Sequence, residues 1–388
     1  MNGTLAIWYE PALKPSVPSD GSTSAPRPEL EIHFNLWRDA ASTTNFLDVG
    51  LRISKPELLK RIYLYFPAPI EPSQITDLSE VMKYAQTLDA VFNSVVSIDE
   101  QTDLRYTTIS DGSPFVTVHK VRPGTDIELS PVADDGKGPG CQLTFNDEMC
   151  KRLVTGDSQD QYMRLRIVLR GRSQALFTEE LTARDRIFVS SAHRLELTEL
   201  RLNEHRSFPP SIAQNAQKNA FKIKRVHYFL IRELGHALVT QHPPLRKVRR
   251  LEANLWASYL RGRAVTDREV PAEEKLASRM VIYHWRADAT TESPINDFTA
   301  FASFQTNATG LLFYLIAITL LGAIGGALSD WGEGQFGLKT SFWIWTVALF
   351  VLWLLAWSGV WSRFESALGA SGKALVRAVT YPFRSAAN

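Results

Sequence analysis

Eight histidines, two cysteines and one glycine-rich run are the residues of this 388-residue chain best suited to chemistry. The histidines are His33, His119, His193, His205, His227, His236, His242 and His284. None stands in a His-Glu-x-x-His arrangement, which would put two imidazoles one helical turn apart for zinc. Glu233 and His236, three positions apart, read as a surface pair rather than as metal ligands. Cys141 and Cys150 match no zinc spacing and read as structural or inert thiols. Two thiols in so long a chain suit a reducing compartment. The run Asp134-Asp135-Gly136-Lys137-Gly138-Pro139-Gly140 looks superficially like a phosphate loop. It lacks the Gly-Lys-Ser/Thr ending, and Pro139 would interrupt a following helix, so a hairpin loop is the better reading. No Gly-x-Ser-x-Gly elbow occurs. The expectation is a chain with no catalytic residue, no metal and no cofactor, and therefore not an enzyme.

Charge points to contact rather than catalysis. Between Arg206 and Arg286 stand 16 Lys/Arg against six Asp/Glu, whereas the chain as a whole carries only +2. A helix is expected to open after Pro243-Pro244, with Leu245, Val248, Leu255, Trp256 and Tyr259 as its apolar residues. Its cations are Arg246, Lys247, Arg249, Arg250, Arg261 and Arg263. Three readings stay open: a solvated face, attraction to anionic lipid head groups, and contact with nucleic-acid phosphates, helped by interleaved Trp256, Tyr259 and Trp285.

The elements that must position these residues are mostly strands. Ala12 to Pro28, rich in Pro, Ser and Gly, reads as a loop. Leu30, Ile32, Phe34 and Leu36 then alternate with polar residues, as do Leu47, Val49, Leu51 and Ile53, and Ile62, Leu64 and Phe66. Ile75, Leu78, Val81, Met82, Ala85 and Leu88 follow helical spacing. Asp111-Gly112 marks a hairpin turn before Phe115–Val121. Further strands are expected at Gln142–Phe145, Met163–Leu169, Arg186–Ser190, Arg194–Leu202, Ile223–Ile231 and Met280–Trp285. An apparent phase slip between Leu197 and Leu200 suggests a bulge. So many short strands argue for a sandwich or barrel-like domain within an α+β chain.

No charged residue occurs from Phe298 to Ser329, nor from Thr340 to Ser362. Runs of some 20 apolar residues, at about 1.5 Å each, cross a hydrocarbon core of about 30 Å. Gly310–Leu328 and Phe342–Val360 therefore read as two transmembrane helices joined by a short polar loop. That loop carries Asp330, Glu333 and Lys339, while the tail carries Arg363, Lys373, Arg377 and Arg384 against Glu365. Cations prefer the cytoplasmic side, and the N-terminus shows no signal sequence, so both termini are expected in the cytoplasm of a cell whose inner membrane holds the hairpin. Gly322 and Gly326, with Ala323 and Ala327 beside them, would let helix backbones approach closely. Trp353 and Trp357 start an aromatic ridge that continues to Trp361. The spans hold no ionisable residue for a transport or proton pathway. The tail, with Phe364, Leu368, Leu375 and Val379 near one face, reads as an amphipathic segment.

The expected organisation is a β-rich sensing or docking domain (1–205), a basic α+β adaptor (206–305), two spans (306–362) and a cytosolic amphipathic tail (363–388). In layout this resembles the two-span effectors of bacterial anti-phage systems, including those paired with retron nucleoproteins or nucleotide signals. The resemblance implies a nucleoprotein or nucleotide ligand on the body. It also implies homo-oligomers formed through the spans, and a bilayer disrupted when the hairpins associate. A non-catalytic tether for a cytosolic complex is the competing expectation.

Overall fold

The computed structural model describes residues 3–12, 26–39, 45–83, 85–92, 94–133, 140–181, 193–262, 270–291 and 293–307, with twelve further helical positions scattered between 318 and 347. Two compact units are formed, one from residues 1–181 and 195–306, the other from 182–194 and 307–388. The first is β-rich.

Its strands run β1 (Thr4–Pro11), β2 (Glu29–Arg38), β3 (Asn45–Ser54), β4 (Leu59–Phe66), β5 (Ile75–Asp77), β6 (Ser97–Gln101), β7 (Arg105–Ser110), β8 (Ser113–His119) and β9 (Ile127–Val132). They continue as β10 (Gly140–Phe145), β11 (Asp160–Val168), β12 (Thr178–Leu181), β13 (His193–Leu202), β14 (Lys222–Glu233), β15 (His236–His242), β16 (Lys247–Arg250), β17 (Met280–Asp288) and β18 (Phe298–Asn307). Short helices intervene: α1 (Ser79–Met82), α2 (Ala85–Phe92), α3 (Asp147–Val154), α4 (Pro210–Lys218), α5 (Ala253–Arg261) and α6 (Val270–Ala277).

Two sheets result. The smaller follows the order β15-β18-β13-β1-β4-β10-β9, with β12 also on β13; the larger follows β16-β17-β14-β2-β3-β11-β8-β7-β6, with β5 also on β11. Their inner faces supply one core, including Leu5, Ile7 and Leu64 from the small sheet and Ile32, Phe34, Val49, Leu165 and Leu230 from the large one. The alternation read along β2, β3 and β4 is this inward face. Strands on either side of residue 205 pair within both sheets: β14 lies parallel to β2, with His227 opposite His33, and β18 neighbours β13.

Several expectations are corrected. The helical spacing over 75–88 resolves into strand β5 and two short helices, because Ile75–Asp77 finds partners on β11. The helix expected after Pro243-Pro244 begins only at Ala253; Lys247–Arg250 instead pairs with β17. The open edge of β17 satisfies the backbone there, which a single turn of helix so close to two prolines could not. β13 carries no bulge in its described pairings. Its buried face reads Glu196, Thr198, Leu200 and Leu202, so the apparent slip is a polar stretch of one continuous face. Glu196 is tolerated there because Arg38 and Arg232 hold it. Finally, the first charge-free run opens not as a span but as strand β18, and Thr4–Pro11, given no element from sequence, is a central strand. The hairpin at Asp111-Gly112 forms as expected, both residues taking positive φ. Around the glycine run, β9 and β10 pair as neighbouring antiparallel strands; Asp134–Pro139 themselves lie outside the described residues.

Among the described residues no helix is long and apolar enough to cross a membrane. Most of both expected spans, Gly310–Leu328 and Phe342–Val360, lies outside them, as do Arg186–Ser190, Arg263, Trp353, Trp357 and the tail. Gly322, Ala323, Gly326 and Ala327 are described, helical and exposed.

Candidate functional site

Both sheets carry helices on their outer faces. On the small sheet, Phe208, Ile212 and Ala216 cover Ala6, Trp8 and Tyr65. On the large sheet, the apolar residues of α1, α5 and α6 gather over Trp37, Phe46, Ile231 and Ile282. The large sheet's outer face is therefore partly covered, and polar residues that alternate with the core positions, His33, Asn35, Asp48 and Arg164 among them, are buried.

Strand registers lay these residues out in rows. One row places His227, His33, Gly50 and Arg164 side by side on β14, β2, β3 and β11. The next holds His284, Phe229, Asn35, Asp48 and Arg166 on β17, β14, β2, β3 and β11. A third holds Ile282, Ile231, Trp37 and Phe46. A cleft of about 380 Å³, its open mouth included, lies over these rows. Its lining takes in His33, Asn35 and Trp37 from β2, Arg164 from β11, Phe229 from β14, Arg249 from β16 and Trp256 from α5.

One carboxylate organises the floor. Asp48, fully buried, accepts from Arg166 Nε at 2.7 Å and Nη2 at 3.1 Å, from Trp37 Nε1 at 2.9 Å and from Tyr259 Oη at 2.9 Å. Arg166 also donates to the Leu260 carbonyl at 2.5 Å, so the same network locks the end of α5 to the sheet. Burial pushes the Tyr259 phenol well above its ordinary range, which keeps it a proton donor.

Arg164 is the residue left over. Only 1% exposed, it donates from Nε to Tyr259 Oη at 2.5 Å and from Nη1 to Tyr162 Oη at 2.8 Å. Both acceptors are neutral phenols, and no carboxylate among the described residues comes within ion-pair distance of it. Asp48, whose charge acts on it, is already engaged by Arg166. Two guanidinium groups thus share one buried carboxylate. A buried cation without a counter-charge is costly in a low dielectric. Two further groups of the same cleft lack partners: the Oδ1 of Asn35, an acceptor, and the Nε1 of Trp256, a donor. Each buried orphan costs about 1–3 kcal/mol.

Beside the cleft lies a titratable cluster. Glu31 Oε1 stands 3.0 Å from His33 Nε2 and 3.6 Å from His227 Nε2. These three residues can offer ligand atoms to one metal ion. His33 Nδ1 is 3.3 Å from Tyr162 Oη, and His227 Nδ1 is 3.0 Å from His284 Nε2. Burial, reinforced by nearby cations, depresses His227 to about 3 and His284 to about 4. Burial opposes the Glu31 carboxylate, but the hydrogen bond from His33 and the surrounding charges outweigh it and hold Glu31 down to about 2. At neutral pH the cluster is one anion and neutral imidazoles.

The residues singled out from sequence fall differently. Arg246, Lys247, Arg249 and Arg250 lie on or beside edge strand β16, and Arg261 ends α5. Only Arg249 reaches the cleft, where it pairs with Glu252 at 3.0 Å. Glu233 and His236 flank the β14–β15 turn, His236 Nδ1 lying 3.2 Å from the Glu233 carbonyl. Both cysteines are free and buried; burial pushes Cys150 up to about 12, so it is no nucleophile. Sequence reading missed Arg164, Asn35 and the histidine cluster. Glu31-x-His33 on a strand was a visible signal, since residues two apart share a face; its partners on other strands were not. The chain matches no family model and no curated protein.

Proposed function

We propose that the β-rich body is a binding module whose cleft takes a small anionic ligand with a flat, hydrogen-bonding ring, of the nucleotide class. On this reading the two-sheet body is a rigid sandwich, and the chain is a membrane-anchored, two-span effector. Its ligand on the body controls whether the hairpins associate and disturb the bilayer. The observation that carries the ligand reading is Arg164, a buried guanidinium facing the cleft with no acid in ion-pair distance among the described residues. A phosphate or carboxylate would supply the missing charge and two strong acceptors. Trp37, Trp256 and Phe229 offer apolar and aromatic surface for a ring, and Asn35 and Trp256 offer an acceptor and a donor for its edge. The anchor rests on the two charge-free runs near the chain's end.

The test uses the full-length protein in detergent. Small molecules released on denaturation are identified by mass spectrometry, and AMP, ATP and a cyclic dinucleotide are tried in thermal unfolding. A matching ligand at a hundredfold excess over Kd adds about 2.7 kcal/mol to stability. Arg164→Met should weaken that ligand by about 10- to 100-fold, the worth of a charge-assisted hydrogen bond. No released anion and no thermal shift with any probe would defeat the ligand reading. In cells, induced expression should halt growth and depolarise the membrane; unaffected growth would favour the tether.

A further inference from the structure

We propose that Glu31, His33 and His227 form a binding site for a single first-row divalent metal ion of the zinc type, with His284 and Tyr162 as its outer partners. The site does not depend on what the neighbouring cleft binds.

The backbone places the three donors together. Glu31 and His33 are two apart on β2 and share its outer face, and His227 lies opposite His33 on the parallel neighbour β14. Zinc sits about 2.0–2.2 Å from imidazole nitrogens and carboxylate oxygens, which sets neighbouring ligand atoms roughly 3–3.5 Å apart. The separations from Glu31 Oε1, 3.0 Å to His33 Nε2 and 3.6 Å to His227 Nε2, straddle that spacing, and all three donor atoms lie within 4.8 Å of one another.

A hydrogen bond alone accounts for His33 and Glu31, but not for His227, whose Nε2 is too far from Glu31 to donate well. The far side of each imidazole is what a metal site needs. His227 Nδ1 meets His284 Nε2 at 3.0 Å, and His33 Nδ1 meets Tyr162 Oη at 3.3 Å. With protons on both Nδ1 atoms, both Nε2 lone pairs point at the Glu31 carboxylate. Occupation of the site therefore moves the His33 proton from Nε2 to Nδ1, where the Tyr162 oxygen accepts it. Such outer partners fix tautomer and ring orientation in metal centres. The nearby cations do not forbid the ion. Arg52 is paired with Asp160 at 2.6 Å; Arg225 is shared, its Nε meeting Asp288 at 2.7 Å and its Nη1 meeting Glu31 Oε2 at 3.4 Å, which turns the other oxygen, Oε1, to the imidazoles. Two imidazoles and one carboxylate select zinc, cobalt or nickel over magnesium or calcium, and leave coordination positions open.

The test is a titration of the full-length protein, stripped with chelator and kept in detergent, with Co2+ followed by visible absorption and with Zn2+ followed by calorimetry. One equivalent per chain is expected, with a cobalt spectrum of nitrogen and oxygen ligation. His227→Gln should abolish it, and His284→Gln should weaken it about 10- to 100-fold. His205→Gln, at an exposed position, should leave it unchanged. If the wild-type protein takes up no cobalt, or if His227→Gln binds as tightly while circular dichroism shows both folded, the assignment is overturned. Because no nucleotide is present, failure of the cleft reading would leave this result untouched.

Discussion

At the residue scale, Asp48 is the group the site can least spare. Its two oxygens receive four donors from three side chains. Asp48→Asn removes the carboxylate that pairs with Arg166 and places an amide among donors. Breaking a buried pair by removing one partner costs about 3–5 kcal/mol. Urea unfolding should show a loss of that order, and a loss below about 1 kcal/mol would mean water reaches the network freely. His119 makes a separate prediction. Burial, seconded by Arg152 and Arg105, holds it down to about 4 against the hydrogen bond it donates to Gln161 at 2.7 Å. The unfolded imidazole takes its proton near pH 6.5, the folded one only near 4. Stability from this group is therefore complete above about pH 6.5 and declines as pH falls, by about 1.4 kcal/mol per pH unit until about 4. His119→Gln keeps a donor for Gln161 without the titration, so its acid limb should be shallower by about one proton. Equal slopes for the two proteins between about pH 6.5 and 4 would contradict the burial argument.

At the scale of elements, one glycine lets two strands cooperate. Gly50 on β3 lies between His33 and Arg164, and a Cβ there would sit 2.2 Å from Tyr162 Oη. The missing side chain is what allows Tyr162 to cross β3 and reach both His33 and Arg164. Gly50→Ala should displace that ring at a cost of about 1–3 kcal/mol, read by thermal unfolding, with cobalt affinity falling alongside. An unchanged melting temperature would mean the ring has room elsewhere. This glycine also marks where sequence reading stops. Alternation in β2, β3, β4 and β11 was legible because one face of each strand meets the shared core. The outer face carries His33, Asn35, Asp48 and Arg164, whose burial depends on α5 and α2 lying above them, and no local period records that. Lys247–Arg250 was misread for a related reason: six cations among apolar residues satisfy helical spacing, while the free edge of β17 is a distant partner. Glu196 disguised a regular strand as a bulged one because its compensating arginines come from β2 and β14.

At the scale of the whole molecule, the anchor is testable apart from the site. The full-length chain is expected to pellet with membranes and to resist extraction by high salt, whereas a chain ended after Asn307 should stay in the supernatant. Free solubility of the full chain without detergent would remove the anchor and the effector reading together. The pairing of β14 with β2 carries a last consequence. His33 meets a neighbour 194 positions later, and the cleft is roofed by Trp256 later still. Contacts so distant along the chain form late and slowly. During synthesis, then, the β2 half of the pocket waits without its roof until about two-thirds of the polypeptide has been made. On the proposed reading, a product terminated before then takes no ligand, and it also lacks the runs assigned to the anchor.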